Sequence, residues 1–240
     1  MCGRYSLISS VEQIRYTFNL DIKFSWRARY NIAPSQLVPV IKCINGNVAV
    51  FENMRWGYVP SWSNFSSGNK PMINARSETL SEKAYFTRSF RLRRVLIPAD
   101  GFYEWQQTHT GKKPYRIQRK DGQPFAFAGL WDHAVYRGSM QPEDGFAIIT
   151  KKSEKNLNSI HARTPLVVPY NKFKEWLSTD TKPQDLGGLI NSTDDSLLSY
   201  YAIGKRINSI VNDDSSCLDP IHENCLIEKD DSRETQWKLL

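Results

Sequence analysis

Cys2 holds the position in this sequence with the most distinctive chemistry. It follows the initiator methionine, and a small second residue usually allows that methionine to be removed. The mature chain would then begin with a cysteine that carries two nucleophiles, an α-amine with a pKa of about 7.7–8.0 and a thiol with a pKa of about 8.5. Such an amine can condense with an aldehyde to a Schiff base, and the thiolate can then close a five-membered thiazolidine. Taken by itself, an inert buried thiol is the simpler interpretation of Cys2.

The distribution of charge points to a polyanionic partner. The chain has 32 Lys+Arg and 25 Asp+Glu residues, a net charge of +7. Residues 1–120 hold 19 basic and 7 acidic side chains, a balance of +12, whereas residues 121–240 hold 13 and 18, a balance of −5. Neutralisation of phosphates supplies most non-specific affinity for nucleic acids, so a basic face in the first half would suit DNA or RNA. The charge balance is equally consistent with a basic surface that faces solvent and binds no partner.

Several other classes of chemistry lack support. The sequence contains no GxGxxG, GxxxxGK[ST], HExxH or GxSxG motif, which argues against dinucleotide, P-loop and zincin chemistry. Cys217, His222 and Cys225 lie close in sequence and Cys43 could complete a tetrahedron, but this spacing matches no usual zinc module. We therefore expect no metal and no cofactor. Four scattered cysteines, no secretory signal and no long apolar run predict a cytoplasmic protein without a membrane segment.

The elements that must position Cys2 are mostly strands. Asn45-Gly46 predicts a hairpin between strands at 37–43 and 48–56. A meander is expected at 93–107, 114–119 and 124–131, with a further strand at 146–152. Helices are expected at 11–18, where Ser10 and Gln13 form a capping-box pattern, and at 78–86, 153–160 and 171–178. Because strands and helices do not alternate as βαβ units, we predict one α+β domain over residues 1–225, with an antiparallel, barrel-like core flanked by helices. Residues 226–240 are expected to form a loosely held tail.

Six short segments share the order and spacing of one known family. They are CGRY at 2–5, YNIAP at 30–34, WGYVPSW at 56–62, INARSET at 73–79, LIPADGFYEW at 96–105 and HARTP at 161–165, followed by INSIVNDD at 207–214. Together they closely resemble the SRAP family, the SOS-response-associated peptidases, also known as abasic-site-processing proteins. The resemblance runs from residue 2 to about residue 221.

The resemblance implies a barrel-like α+β domain with a basic DNA groove. Members of the family, once Met1 is lost, bind abasic sites in single-stranded DNA and link the N-terminal cysteine to the ring-opened sugar as a thiazolidine. This link shields the lesion from strand cleavage and error-prone bypass. The resemblance also implies that Met1 is removed autocatalytically, which accounts for the name peptidase, and nothing in it requires more than a monomer.

The same resemblance assigns roles to individual residues. Cys2 matches the nucleophile, and Asn74 matches the asparagine that holds the cysteine and the sugar by hydrogen bonds. Glu104 matches the carboxylate beside the α-amine, and His161 matches the acid/base that assists sugar-ring opening and Schiff-base formation. Thr150 aligns with a threonine of the pocket. We hypothesise that Glu104 has a perturbed pKa because it shares a small pocket with the amine.

Six further residues match the DNA-binding surface of the family. Three arginines match those that clamp phosphates around the lesion, and three loop residues match those that wedge or stack where the DNA bends. These are Arg4, Arg76 and Arg163, and Asn31, Pro34 and Trp62, respectively.

Three positions depart from the family pattern. Ala162 and Thr164 stand where HDRMP or a similar sequence is frequent, and Val95 stands where a cysteine is common. None of these is one of the reactive positions, so the departures concern local packing.

Two other functions remain as alternatives. An N-terminal-nucleophile peptidase or amidase would use the freed amine as the base for its own thiol, but the basic surface has no use there. A plain nucleic-acid-binding module with an inert Cys2 would bind intact and abasic strands equally and in a salt-reversible way.

Overall fold

A computed structural model of the chain describes residues 2–21, 23–44, 48–63, 70–136, 141–191 and 195–221. Thirteen strands and four α-helices lie within these ranges. The strands are β1 (Tyr5–Leu7), β2 (Arg29–Ile32), β3 (Leu37–Ile44), β4 (Val48–Trp56), β5 (Asn74–Arg76), β6 (Arg94–Ala99), β7 (Gly101–Thr108), β8 (Gly111–Arg119), β9 (Phe125–Val135), β10 (Pro142–Lys152), β11 (Arg163–Pro165), β12 (Val167–Val168) and β13 (Leu198–Ala202). The helices are α1 (Val11–Phe18), α2 (Ala84–Leu92), α3 (Phe173–Leu177) and α4 (Leu186–Asn191).

Five strands close into a barrel. The hydrogen-bonded order is β10-β4-β3-β6-β9, and β9 returns to β10. Every neighbouring pair in this ring is antiparallel except β10–β4, which is parallel. The predicted α+β class with an antiparallel, barrel-like core is therefore confirmed, with β10–β4 as a parallel pair within it. The strands of the barrel carry consecutive buried residues, as in β6, because both faces of the wall are covered.

A second, five-stranded antiparallel sheet carries the amino-terminal strand. Its order is β13-β8-β7-β1-β2. The two sheets join where β6 ends at Ala99 and β7 begins at Gly101, so the predicted strand 93–107 is divided between them. A Cβ on Gly101 would lie 2.9 Å from the carbonyl oxygen of Ile117, which explains why this crossing requires glycine.

Asp100 fixes the chain at this crossing. Its buried carboxylate accepts hydrogen bonds from the backbone N–H of Ile8 and from the hydroxyl of Ser9, and it accepts one at 3.1 Å from the Ser9 N–H. Backbone donors that would otherwise be orphaned beyond β1 are thereby satisfied. Asp100 thus fastens the amino-terminal strand to the junction of the two sheets.

Helix α1 begins as its sequence predicts. The Gln13 N–H donates to Ser10 Oγ at 3.2 Å, and the Ser10 N–H donates to Gln13 Oε1 at 2.9 Å, which completes the capping box. The buried Ile14 and Phe18 are four residues apart and lie on one face of the helix.

The other three predicted helices differ in place or type. The interval 78–86 holds a 3-10 helix at Ser77–Thr79 and then the start of α2, because the chain turns after the buried Leu80 and the buried face of α2 begins only at Phe86. The interval 153–160 holds a 3-10 helix at Lys155–Ser159, where the buried Leu157 and Ile160 have the three-residue spacing of that helix. Helix α3 is shorter than 171–178 and follows a 3-10 turn.

Some expectations fall on residues outside the described ranges. The Asn45-Gly46 turn lies there, although the two strands that it joins pair in the expected antiparallel hairpin register. The boundary at residue 225 and the tail at 226–240 lie there as well. None of the helices in the described part of the chain is long and apolar enough to span a bilayer.

Candidate active site around Cys2

Strand β1 carries Cys2 toward Glu104. Within the second sheet, Tyr5 pairs with Phe102, and the Tyr103 N–H donates to the Arg4 carbonyl at 3.0 Å. The residues that precede β1 therefore run antiparallel along β7 toward Glu104. Cys2 itself is fully buried, with 0% of its surface exposed.

Asn74 holds the backbone of Cys2. Its Nδ2 donates to the Cys2 carbonyl oxygen at 2.9 Å. Asn74 opens β5, which pairs in parallel with β10, and the carbonyl of the preceding Ile73 accepts a hydrogen bond at 2.9 Å from the indole N–H of Trp56. The Oδ1 atom of Asn74 is buried and has no hydrogen-bond partner among the described residues. One half of this amide thus fixes Cys2, and the other half is an acceptor available to a ligand.

Burial governs the protonation of Cys2. It raises the pKa of the thiol well above its ordinary value, and the negative charge of Glu104 raises that pKa further. The thiol in this state is therefore neutral, and its Sγ lies 3.7 Å from the Arg4 carbonyl oxygen. Conversion to a thiolate requires that a base accept its proton.

The alternation of β7 explains how the FYEW segment serves two faces of the sheet. Phe102 and Glu104 line one small pocket, because side chains two residues apart point to the same face of a strand. Tyr103 packs on the other face with Ile207, in a cluster that Trp105 also contacts. The motif therefore places the carboxyl of Glu104 in the pocket on one face of β7. On the other face, Tyr103 packs against the loop that follows β13.

Glu104 is an acid with a pKa near neutrality. The residue is 4% exposed, and this burial raises the pKa of its carboxyl from 4.5 to about 7. The pKa of Glu104 is therefore perturbed as hypothesised, but the cause is burial rather than a pocket shared with the amine. A carboxyl group with this pKa can both accept and donate a proton at physiological pH.

His161 lines the same pocket as Glu104. Its Nδ1 lies 3.0 Å from both the backbone nitrogen and the backbone oxygen of Arg163, which fixes the orientation of the ring. Burial lowers the pKa of this histidine below 6.5, so the ring is neutral at pH 7. A neutral imidazole beside an acid of pKa about 7 is a suitable pair for proton transfer.

Arg163 connects Thr150 with an acidic residue that sequence reasoning missed. Its Nε donates to Thr150 Oγ1 at 3.3 Å, while its two terminal nitrogens donate to the two carboxylate oxygens of Glu78 at 2.8 and 2.9 Å. Glu78 belongs to the INARSET segment, so its position in that motif was the available signal. The guanidinium of Arg163 is therefore held by a bidentate ion pair, and Thr150 is fully buried beneath it.

Asn31 is structural in its contacts. Its side chain is fully buried, accepts a hydrogen bond from Arg4 Nη1 at 2.9 Å, and donates to the carbonyls of Ser209 and Asn212 at 2.9 and 2.7 Å. The adjacent carboxylate of Asp213 accepts the Asn31 N–H at 2.9 Å. These bonds hold the INSIVNDD loop against β2, so a direct contact between the Asn31 side chain and DNA would have to displace them.

The remaining predicted DNA-binding residues lie farther out. Arg76 is exposed at the end of β5, and Pro34 is half-buried in the turn after β2. Trp62 is 58% exposed and stacks on Tyr85, with ring centroids 6.0 Å apart and an interplanar angle of 14°. None of the described contacts joins Trp62 to Cys2. Tyr85, 48% exposed, had no local sequence signal because only the fold brings it under Trp62.

The residues considered for zinc do not assemble in the part of the chain that is described. No group of three or more His, Cys, Asp or Glu side chains there is arranged to hold a metal ion. Cys217 is buried in the apolar cluster with Tyr103 and Ile207, whereas His222 and Cys225 lie outside the described residues.

Comparisons with known proteins give a consistent result. The sequence profile of the family described as "SOS response associated peptidase (SRAP)" matches residues 1–210. The chain is 35% identical over 226 residues to the abasic site processing protein YoaM of Bacillus subtilis, an alignment that covers 91% of this chain and 98% of YoaM. It is 26% identical over 229 residues to the abasic site processing protein YedK of Escherichia coli, with 92% and 100% covered. The structure also superposes on a crystal structure of a protein from Bacteroides thetaiotaomicron, with a TM-score of 0.80 and 20% sequence identity. This superposition covers 92% of this chain and 100% of the other protein. At this identity it supports the fold alone.

Proposed function

Because the chain belongs to the SOS response associated peptidase (SRAP) family, we propose that it processes abasic sites in DNA by capturing them covalently. The proposed product is a thiazolidine between Cys2, freed of Met1, and the ring-opened sugar of an abasic site in single-stranded DNA. Two of the relatives with which the chain aligns over nearly their whole length are named abasic site processing proteins.

The observation that carries this proposal is that three polar residues of the family motifs lie around Cys2 or around the pocket next to it. Asn74 binds the Cys2 carbonyl at 2.9 Å, the charge of Glu104 acts on the Cys2 thiol, and His161 lines the pocket of Glu104. An inert thiol would not need an acid of near-neutral pKa and a neutral imidazole beside it. A covalent reaction that exchanges several protons does need them.

The reaction that we propose balances in three steps. An abasic sugar is mostly a closed hemiacetal, and His161 moves the proton that lets the ring open to an aldehyde. The Cys2 amine then forms a C–N bond to the aldehyde carbon, and Glu104 protonates the hydroxyl of the carbinolamine so that it leaves as water and an iminium remains. The Cys2 sulfur finally adds to the iminium carbon, and the thiol proton passes to the Glu104 carboxylate, which restores the acid.

The surface around the pocket suits a single strand. The exposed Arg76 would offer positive charge to the phosphates, and Arg163 would exchange its ion pair with Glu78 for a phosphate. Arg4, whose Nη1 donates to Asn31 Oδ1 and to the Ile207 carbonyl, would add positive charge from behind these bonds. The stacked rings of Trp62 and Tyr85 supply an exposed platform on which a base can stack without sequence preference. We propose that the protein works as a monomer in the cytoplasm, where Cys2 stays reduced.

Removal of Met1 precedes capture in this proposal, because Cys2 gains its reactive amine only when the preceding peptide bond is broken. The proposed removal is an autocatalytic hydrolysis of this bond, in which the Cys2 thiol and Glu104 take part. Intact mass measured on protein purified from cells, for the wild type and for Glu104→Gln, tests this step.

The test of the function is a mixture of the purified protein with an oligonucleotide that carries one abasic site. We expect an adduct that survives heat and denaturant, that forms with the wild type and with Cys217→Ser, and that is lost in Cys2→Ser. Both cysteines are buried, so Cys217→Ser is a matched control. Salt-reversible binding of equal strength to intact and abasic strands would contradict the proposal, as would an adduct that persists in Cys2→Ser.

A further inference from the structure

Two hydroxyl groups in the pocket of Glu104 and His161 take part in none of the contacts described so far. Thr164 and Ser153 both line that pocket. Their oxygens are buried, and neither has a hydrogen-bond partner among the described residues. Thr164 is 1% exposed and is one of the positions at which the sequence departs from the family pattern.

The fold places both hydroxyl-bearing residues in the wall of the same pocket. The Ser153 N–H donates to the Ala162 carbonyl at 3.0 Å, and Thr164 pairs with Lys151 in the β10–β11 ladder. Asp195 fastens this segment, because its carboxylate lies 3.3 Å from Lys151 Nζ and accepts the Glu154 N–H at 3.2 Å. The positions of the hydroxyls are therefore set by the backbone ladder and by a buried ion pair.

A buried hydroxyl without a partner is costly, and native proteins usually pair such groups with ordered water. The pocket has room for about one water molecule. Its wall carries the two hydroxyls, Glu104 and His161, and a site with this number of polar groups is one that water occupies.

We infer that Ser153 and Thr164 form a binding site for one water molecule, and that this is the water which imine formation releases and reversal of the link consumes. The inference rests on the proposed function, since it concerns the same reaction. It makes Ser153 and Thr164 positioning residues and gives the pocket a role in both directions of the chemistry.

The reverse reaction shows what the site would do. The C–S bond of the thiazolidine breaks, the sulfur takes a proton from Glu104, and an iminium carbon remains. The bound water adds its oxygen to that carbon while the Glu104 carboxylate accepts one of its protons. The C–N bond then breaks as Glu104 protonates the nitrogen and takes back the proton of the carbinolamine hydroxyl, and the strand leaves as an aldehyde, so no oxidant or other reactant is needed.

Release kinetics test this role. A preformed adduct with a labelled strand is incubated with excess unlabelled abasic oligonucleotide, and free labelled strand is followed on a denaturing gel. We expect Thr164→Val, which keeps the shape and removes the hydroxyl, to slow release about three- to tenfold, the loss of one hydrogen bond. Thr164→Ser restores the hydroxyl and is expected within about twofold of the wild type, and Ser153→Ala is expected to act in the same direction as Thr164→Val.

Equal effects of Thr164→Val and Thr164→Ser on release would mean that packing matters rather than the hydroxyl, and would overturn the inference. The inference would also be overturned if the adduct of Thr164→Val released its labelled strand at the wild-type rate. A high-resolution crystal structure of the free protein provides a readout that does not depend on the reaction. An ordered water within hydrogen-bond distance of both hydroxyls is expected, and a dry pocket would refute the site. If the wild type formed no adduct, the proposed function would fail, and the crystal structure would still decide whether the water site exists.

Discussion

Two buried carboxylates lie four residues apart on the same stretch of chain, and they have opposite surroundings. Asp100, 8% exposed at the junction of the two sheets, accepts three hydrogen bonds from Ile8 and Ser9. Glu104, 4% exposed on β7, lines a pocket with His161 and has a pKa raised to about 7 by burial. The first carboxylate fastens the amino-terminal strand, and the second faces the place to which that strand brings Cys2.

The difference shows that one short segment, PADGFYE, contains one carboxylate with a structural role and one with a proposed catalytic role. A carboxylate that accepts hydrogen bonds from several donors of one segment holds that segment in place. A carboxylate that is removed from water retains a proton near neutral pH and is available to transfer it. The same side-chain chemistry therefore serves structure at Asp100 and, in our proposal, reaction at Glu104.

The largest expected effect is on the rate at which Glu104 and Asp100 variants capture an abasic strand. Glu104→Gln keeps the shape of the side chain but cannot exchange protons, so capture of an abasic strand should slow by about 100-fold or more. Asp100→Asn should stay within a few-fold of the wild type per folded molecule. The rate of adduct formation on a denaturing gel measures both. Equal losses in the two variants would show that the acids do not differ in role.

The pH dependence of stability is expected to separate Glu104 from the rest of the chain. Between pH 4.5 and about 7 the unfolded chain has ionised this carboxyl while the folded protein keeps it protonated. The free energy of unfolding should therefore fall as the pH rises through this interval, by up to about 3 kcal/mol in all. Urea unfolding of the wild type and of Glu104→Gln measures this, and Glu104→Gln should be the more stable protein at pH 8. A wild type and a variant with parallel pH profiles would show that Glu104 titrates normally.

The fastening role of Asp100 is expected to appear as a loss of stability. Asp100→Asn keeps one acceptor but turns an amide toward the donors of Ile8 and Ser9, which should lower the free energy of unfolding by about 2 kcal/mol. Urea unfolding with Asp121→Asn as an exposed-turn control measures the change. An unchanged midpoint for Asp100→Asn would remove the structural half of the comparison.

A third carboxylate, Glu78, lies nearer the surface, and its replacement is expected to have a smaller effect, on affinity for single-stranded DNA. It holds Arg163 in a bidentate pair in which the Glu78 side chain is 40% exposed and the Arg163 side chain 14% exposed, and water can compete for the carboxylate of such a pair. Glu78→Gln should free Arg163 for phosphate and strengthen binding to single-stranded DNA by about two- to fivefold at low salt. Fluorescence anisotropy with an intact strand measures the affinity, and Glu82→Gln, which removes a nearby charge without an ion pair to Arg163, is the control. Weaker binding by Glu78→Gln would mean that the pair positions Arg163 rather than competing with DNA.

The fold was predictable wherever the signal was local. Asn45-Gly46 identified the β3–β4 hairpin strands, and the Ser10-Gln13 pair identified α1. The closure of the barrel depends on β10, which contacts β4 and β9 across large sequence separations, and no local pattern encodes such pairing. The helix predicted at 78–86 was wrong because Leu80 turns into the core before α2 begins.

The reactive residues were predictable from a family resemblance, and their surroundings were not. Motifs identified Cys2, Asn74, Glu104 and His161, but the burial that sets the pKa of Glu104 is a property of the folded chain. Tyr85 and Ser153 belong to no motif, and Thr164 lies in HARTP at a position that departs from the family pattern. The β10–β11 ladder brings Ser153 and Thr164 to the pocket, and helix α2 brings Tyr85 against Trp62.

Intact mass spectrometry after incubation with an abasic oligonucleotide tests the central claim most directly. We predict one species whose mass is that of the chain without Met1 plus the oligonucleotide minus one water, formed with the wild type and absent with Cys2→Ser. A chain that still carries Met1 in the adduct, or an adduct of equal yield with Cys2→Ser, would contradict the account.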